Sequence, residues 1–205
     1  MNHLGLVKAF AMTGGDWVIH LLVVASVVAL GVIIERAVVY RARRLSPALP
    51  EGFLQEWRAG DRGRALSLLA SSPVERGLAE ALSNAQAAGE SVEQALEASL
   101  ALERRTLENR LTLLNTLGNN APFIGLLGTV LGVVRAFHDL AFASGAGPEA
   151  VMQGLSEALV ATAVGIIVAL PCVIAYNVLF KAADDRIADA QIVGRRLASA
   201  LARGA

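Results

Sequence analysis

Eighteen consecutive residues, 17–34, carry no charged side chain, and only His20 and Ser26 among them are strongly polar. As a helix rising about 1.5 Å per residue, the run is about 27 Å long, close to the hydrocarbon thickness of a bilayer. Lipid offers no partner to a backbone amide, so a segment that crosses it must satisfy its own N–H and C=O groups as a helix. One lysine, Lys8, precedes the run and no small-residue cleavage site follows it. These flanks predict a retained anchor rather than a cleaved signal peptide.

Two more apolar runs follow, at residues 113–142, with their core at 121–134, and at residues 155–180. Between them Ala143-Ser144-Gly145-Ala146-Gly147-Pro148 has the composition of a turn, so the two runs predict a tight antiparallel hairpin. The whole chain agrees: 55% of its 205 residues are hydrophobic and only 5% aromatic, with a mean hydropathy of +0.53, more apolar than a soluble domain of this size. Arginine placement sets the expected orientation. Arg36, Arg41, Arg43 and Arg44 follow the first run, and Lys181 and Arg186 follow the third, whereas the hairpin turn has no cation. The positive-inside rule then predicts an outer N-terminus and an inner C-terminus. Arg135 departs from this pattern, lying near the outer end of the second run, with Asp139 one helical turn away as a partner.

Composition also narrows the chemistry. The net charge is zero, so no overall field favours nucleic acid. The single cysteine, Cys172, excludes an internal disulfide, and His3, His20 and His138 lack metal-ligand spacing. There is no G-x-x-x-x-G-K-[ST] loop, so the chain does not itself draw energy from a nucleotide. No metal, no cofactor and no enzymatic activity are expected.

Outside the membrane the pattern is helical. Val92, Leu96, Leu100, Leu107, Leu111 and Leu114 recur at helical steps, as do Ile187, Ala190, Gly194, Leu197 and Leu201. These stripes read as bundle core. With no loop between the first stripe and the second run, one long helix is expected to continue from the membrane into the cytoplasm. Shorter helices are expected over residues 50–85, with breaks at Gly60, Gly63 and Pro73. The fold class is an all-α membrane protein with three transmembrane helices, the second and third extended into the cytoplasm as a long helical bundle. Its parts are an outer-side tail (1–16), transmembrane helix 1 (17–39), a cytoplasmic helical region (40–112), transmembrane helix 2 (113–142), a short outer-side turn (143–154), transmembrane helix 3 (155–180) and a cytoplasmic C-terminal helix (181–205).

The hairpin carries the informative residues. Gly128 and Gly132 form a G-x-x-x-G pair and Gly125 precedes them; Ala158, Thr162, Gly165 and Ala169 place small side chains on one flank of the third run. Small residues let membrane helices approach closely. Pro171 is expected to kink its helix. Thr129 and Thr162 fall at similar depth, about 15–20 Å below the outer turn at 1.5 Å per residue. Each could simply bond its own helix's carbonyl four residues back, or the two could line a pore. Glu157, at the outer end of the third run, fits either an ion pathway or a glutamate favoured by a helix N-terminus. No Asp, Glu, Lys or Arg lies at the centre of any run, so a titratable group for moving protons is expected on a partner.

Two stretches at this hairpin resemble the MotA/TolQ/ExbB family of proton-channel proteins, its TolQ/ExbB branch in particular. They are Ala121-Pro122-Phe123-Ile124-Gly125-Leu126-Leu127-Gly128-Thr129-Val130-Leu131-Gly132 and Glu157-Ala158-Leu159-Val160-Ala161-Thr162-Ala163-Val164-Gly165. Ala169-Leu170-Pro171 and Tyr176-Asn177 extend the second match, and Glu35-Arg36 after the first run also fits. The resemblance implies a homo-oligomer, a pentamer, in the bacterial inner membrane. It would enclose a single-span ExbD/TolR-like partner whose membrane aspartate carries the proton, and would drive work at the outer envelope, with a TonB/TolA-like protein in some systems. It casts Thr129 and Thr162 as pore-facing threonines and Glu157 as the glutamate that opens the third span. Asn119-Asn120 are more polar than the family pattern at that place. A self-sufficient channel or transporter is the competing reading.

Overall fold

The computed structural model describes residues 14–42, 52, 55–56, 58–68, 73–88, 91–142 and 148–203. They include the helices α1 Asp16–Ala42, α2 Arg62–Leu68, α3 Pro73–Ala88, α4 Val92–Glu108, α5 Leu111–Phe142 and α6 Pro148–Arg203, and among the described residues there is no strand. Three stretches are long and apolar enough to cross a membrane, in α1, in α5 and in α6. The all-α, three-span fold expected from the sequence is the one observed. Lys8, Arg43, Arg44 and the hairpin turn at 143–147 lie outside the described residues. Helix α6 begins at Pro148, where proline's fixed φ and missing N–H suit the first helical position. Residues 148–154, expected in the turn, are therefore helical. Pro122 and Pro171 both lie inside helices that continue past them, as membrane helices tolerate.

The chain forms two compact units. The first takes α1 up to Ile33, all of α5, and α6 up to Asn177. Its core is one apolar cluster: Val18 and Leu22 of α1, Ala121 and Leu131 of α5, and Val168 and Ala169 of α6. Larger apolar side chains point away from it, among them Val24, Val27 and Leu30 of α1, Phe123, Leu126 and Val130 of α5, and Ile166, Ile167 and Leu170 of α6. So much exposed apolar surface marks a membrane-facing or protein-facing exterior. This is a multi-pass membrane protein.

The second unit takes α1 from Ile34, α2, α3, α4 and α6 from Val178. Leu96 and Leu100 of the expected α4 stripe, with Ala190 of the tail stripe, pack against Ala65, Val74 and Leu78. Leu107 and Ile187 join Tyr40 and Ala183 in a neighbouring cluster. The side chains of Leu197 and Leu201 are not among those described. Gly60, at φ 86°, makes the turn before α2, and Pro73 opens α3, whereas Gly63 lies within α2 and breaks nothing. Arg104 bonds Glu108 at 2.7 Å and Asp184 at 2.8 Å. The Glu108 hydrogen bond and the two carboxylates hold its guanidinium pKa above the ordinary value.

One expectation is corrected. The helix that was to run unbroken into the second span is interrupted at Asn109 and Arg110, where Asn109 is extended (φ −53°, ψ 136°) and Arg110 is left-handed (φ 62°). A left-handed residue with a Cβ costs about 1–2 kcal/mol. A glycine there would relieve this while giving up about 0.5–1 kcal/mol of chain entropy. Strain relief and chain entropy alone would leave Arg110→Gly about 0–1.5 kcal/mol more stable in equilibrium unfolding, before the interactions of the Arg110 side chain are counted. A loss of stability would show that the Arg110 side chain earns its place.

Candidate functional site

The hairpin is zipped by glycine. A Cβ added at Gly125 would lie 2.7 Å from the carbonyl oxygen of Ala161 and 3.0 Å from Thr162 Cα. One added at Gly165 would lie 2.6 Å from the Ala121 carbonyl oxygen and 3.1 Å from Gly125 Cα. Backbone meets backbone at these points, as in closely packed membrane helices. Gly132 faces Ala158, whose Cβ would be 2.7 Å from an added methyl, and Gly128 faces both Ala161 and Val18. Gly128 thus serves α1 as well as α6, a second role the G-x-x-x-G pattern alone does not reveal. Pro171 is exposed.

Close approach is what brings the threonines together. Thr129 and Thr162 are hydrogen-bonded to each other through their hydroxyls. Thr129 Oγ1 is also 3.3 Å from its own helix's Gly125 carbonyl and 3.2 Å from the Ala158 carbonyl of α6. The first alternative from the sequence therefore holds for Thr129, which bonds four residues back, and its hydroxyl also reaches across to α6. Measured from Phe142 and from Pro148, the two threonines lie about 20 Å and about 21 Å along their helices. Starting α6 at Pro148 makes the depths agree more closely than the sequence reading did.

The proton count of this cluster limits what it can bind. Each hydroxyl has one proton to donate and two lone pairs. When Thr129 donates to a carbonyl and Thr162 donates to Thr129, both protons are used inside the protein. The pair then presents lone pairs only, which match a neutral carboxylic acid or a hydronium ion and oppose a carboxylate. Turning the Thr162 hydroxyl outward supplies a donor instead. The pair can therefore answer either protonation state of a titratable ligand, with Thr162 as the member free to turn.

Glu157 is not with the threonines. It lies in a cavity of about 230 Å³ with Asp16, Arg135, Asp139 and Gln153 among its lining residues. Gln153 Nε2 donates to Glu157 Oε1 at 3.0 Å. Arg135 is 3.5 Å from Asp16 and 3.9 Å from Asp139, so the expected one-turn pair is joined by a carboxylate from the start of α1. All of these side chains are exposed, and exposed pairs are worth about 0–1 kcal/mol. The cavity is a polar vestibule. Gln153, one turn before Glu157, was visible in the sequence, whereas Asp16 had no local signal.

The sequence model of the MotA/TolQ/ExbB proton channel family matches residues 69–192, more than half of the chain. The chain is 34% identical over 170 residues to the biopolymer transport protein ExbB of Xanthomonas campestris pv. campestris, covering 73% of this chain and 67% of that one. It is 48% identical over 86 residues to the putative biopolymer transport protein ExbB-like 2 of Helicobacter pylori (40% of this chain, 57% of that one). The Tol-Pal system protein TolQ of Pseudomonas aeruginosa is 42% identical over 88 residues (43% of this chain, 38% of that one). The chain thus spans about half the length of several curated relatives that it matches.

Proposed function

Because the chain belongs to the MotA/TolQ/ExbB proton channel family, we propose that it forms one half of a proton pathway that drives work at the cell envelope. The observation that carries this reading is the hydroxyl pair of Thr129 and Thr162, placed at matched depth in an otherwise apolar, glycine-packed hairpin. Hydroxyls there can pass or receive a proton but cannot carry charge themselves. The carrier is a membrane aspartate on a single-span ExbD/TolR-like partner, enclosed by several copies of this chain, a pentamer by analogy with the family. The Thr129–Thr162 pair meets that aspartate near mid-membrane and answers both its charged and neutral forms. Glu157, in its vestibule with Arg135, stands at the outer mouth. The N-terminus is outside and the C-terminus inside a bacterial inner membrane, with residues 40–112 in the cytoplasm. The work delivered, through a TonB/TolA-like protein, through Tol-Pal-like envelope maintenance or as gliding, follows from the partner rather than from this chain.

The test is reconstitution. The chain, alone and with a co-expressed single-span partner carrying a membrane aspartate, is placed in liposomes loaded with a pH-sensitive dye. Proton entry is expected only for the complex, and is expected to vanish when the partner's aspartate becomes asparagine. Equal flux from the chain alone would establish the self-sufficient channel instead.

A further inference from the structure

Asn119 and Asn120 are neighbours in α5, and the structure gives them different partners. Asn120 Nδ2 donates to the Thr116 carbonyl of its own helix at 2.7 Å, which hides an amide donor in the backbone. It shares a face with Phe123 and Leu127, three and seven residues on, both exposed and apolar. Asn119 Nδ2 instead donates to Asn115 Oδ1 at 2.9 Å. With its oxygen engaged, Asn115 presents the two N–H groups of its amide.

Asn115 is half-buried and lies two heptads before Thr129, so the two share a side of α5. About 21 Å of helix separates them. Pro122 stands midway, one heptad from each. The helix continues past this proline, which has no N–H, so the Gly118 carbonyl four residues back loses its helical donor. Gly118 is buried against α6: a Cβ added there would lie 2.7 Å from Val173 Cγ2 and 3.4 Å from Cys172 Cβ. In a membrane helix a backbone carbonyl released in this way needs another donor, and water is one that fits. Asn115 is three residues before Gly118, on the same face. The amide N–H groups and the carbonyl therefore offer a water both donors and an acceptor within one turn.

We propose that Asn115 and the Gly118 carbonyl released by Pro122 form the inner half of the proton path, holding water along α5 between Thr129 and the inner end of the span. The inference rests on the proton reading and adds to it the route by which the proton leaves the threonine pair. Neither an amide nor a carbonyl needs to change protonation. Each held water accepts a proton from its outer neighbour and releases another to its inner one, so charge moves and the water remains. Thr129, the Gly118 carbonyl and Asn115 then mark one wet side of a helix whose other side, at Phe123 and Leu127, is dry.

Pro122→Ala separates this role from packing, because it returns the missing N–H and closes the Gly118 carbonyl within the helix. The variant is expected to melt at or above the wild-type temperature, since alanine suits a helix interior better than proline. Its proton flux, measured in dye-loaded liposomes with the single-span partner, is expected to fall about tenfold, the loss of one hydrogen bond to a charged species. Asn115→Leu is expected to lose about as much, and Asn115→Ser to keep most of the flux. Asn120→Leu is expected to conduct like the wild type, because its amide serves only its own backbone. Co-elution with the partner reads assembly in every case. Wild-type flux from assembled Pro122→Ala and Asn115→Leu complexes would overturn this inference and leave the proton reading standing, as would an equal loss in Asn120→Leu. No flux from the wild-type complex would overturn the proton reading, and this inference with it.

Discussion

Gly125→Leu is expected to prevent the hairpin from closing. The first atom of the new side chain would stand 2.7 Å from the Ala161 carbonyl oxygen and 3.2 Å from Gly165 Cα. Neither neighbour is a side chain that can rotate aside, so α5 and α6 must separate. Overpacking where side chains can adjust costs about 1–3 kcal/mol, and a backbone collision belongs at or above the top of that range. Separation would also part Thr129 from Thr162, so the folding defect and the loss of the hydroxyl pair should arrive together. Gly31 is the control, because a Cβ there meets nothing within 4 Å. Gly31→Leu is expected to leave the thermal unfolding of the detergent-solubilised protein unchanged or slightly raised, since leucine is the better helix former by about 0.8–1.0 kcal/mol. If Gly125→Leu melted where Gly31→Leu does, the seam would not be holding the hairpin.

What could be read in the sequence divides by the range of the cause. The spans were legible because hydropathy is a local property, and α1, α5 and α6 cover the three expected runs. The Thr129–Thr162 meeting was legible because an antiparallel hairpin turns position along the chain into depth. The break at Asn109–Arg110 was not, since no glycine or proline marks it among residues 105–112. The same holds for the vestibule, where Asp16 meets Arg135 across 119 residues. One glycine misled in the opposite sense. Gly63 reads as a breaker, yet it lies inside a helix.

Thr162→Val is expected to leave the protein folded and assembled while stopping proton-driven work. Valine keeps the branched shape at a position whose Cα would be 3.0 Å from a Cβ on Gly125, so the seam stays closed. The substitution does not strand a buried donor, because Thr129 keeps the Gly125 and Ala158 carbonyls as acceptors. The stability cost is then one neutral hydrogen bond, about 1 kcal/mol. What disappears is the hydroxyl able to turn outward. A hydrogen bond to a charged ligand is worth about 1.5–3 kcal/mol, and removing that much from the barrier-crossing state slows flux about 10- to 100-fold. Thr162→Ser keeps the hydroxyl and is expected to retain flux, whereas Thr129→Val removes the inner acceptor and is expected to resemble Thr162→Val. Co-elution with the partner on size exclusion reads assembly, and dye-loaded liposomes read flux. Wild-type flux from an assembled Thr162→Val complex would remove the hydroxyl pair from the pathway and leave it a packing contact.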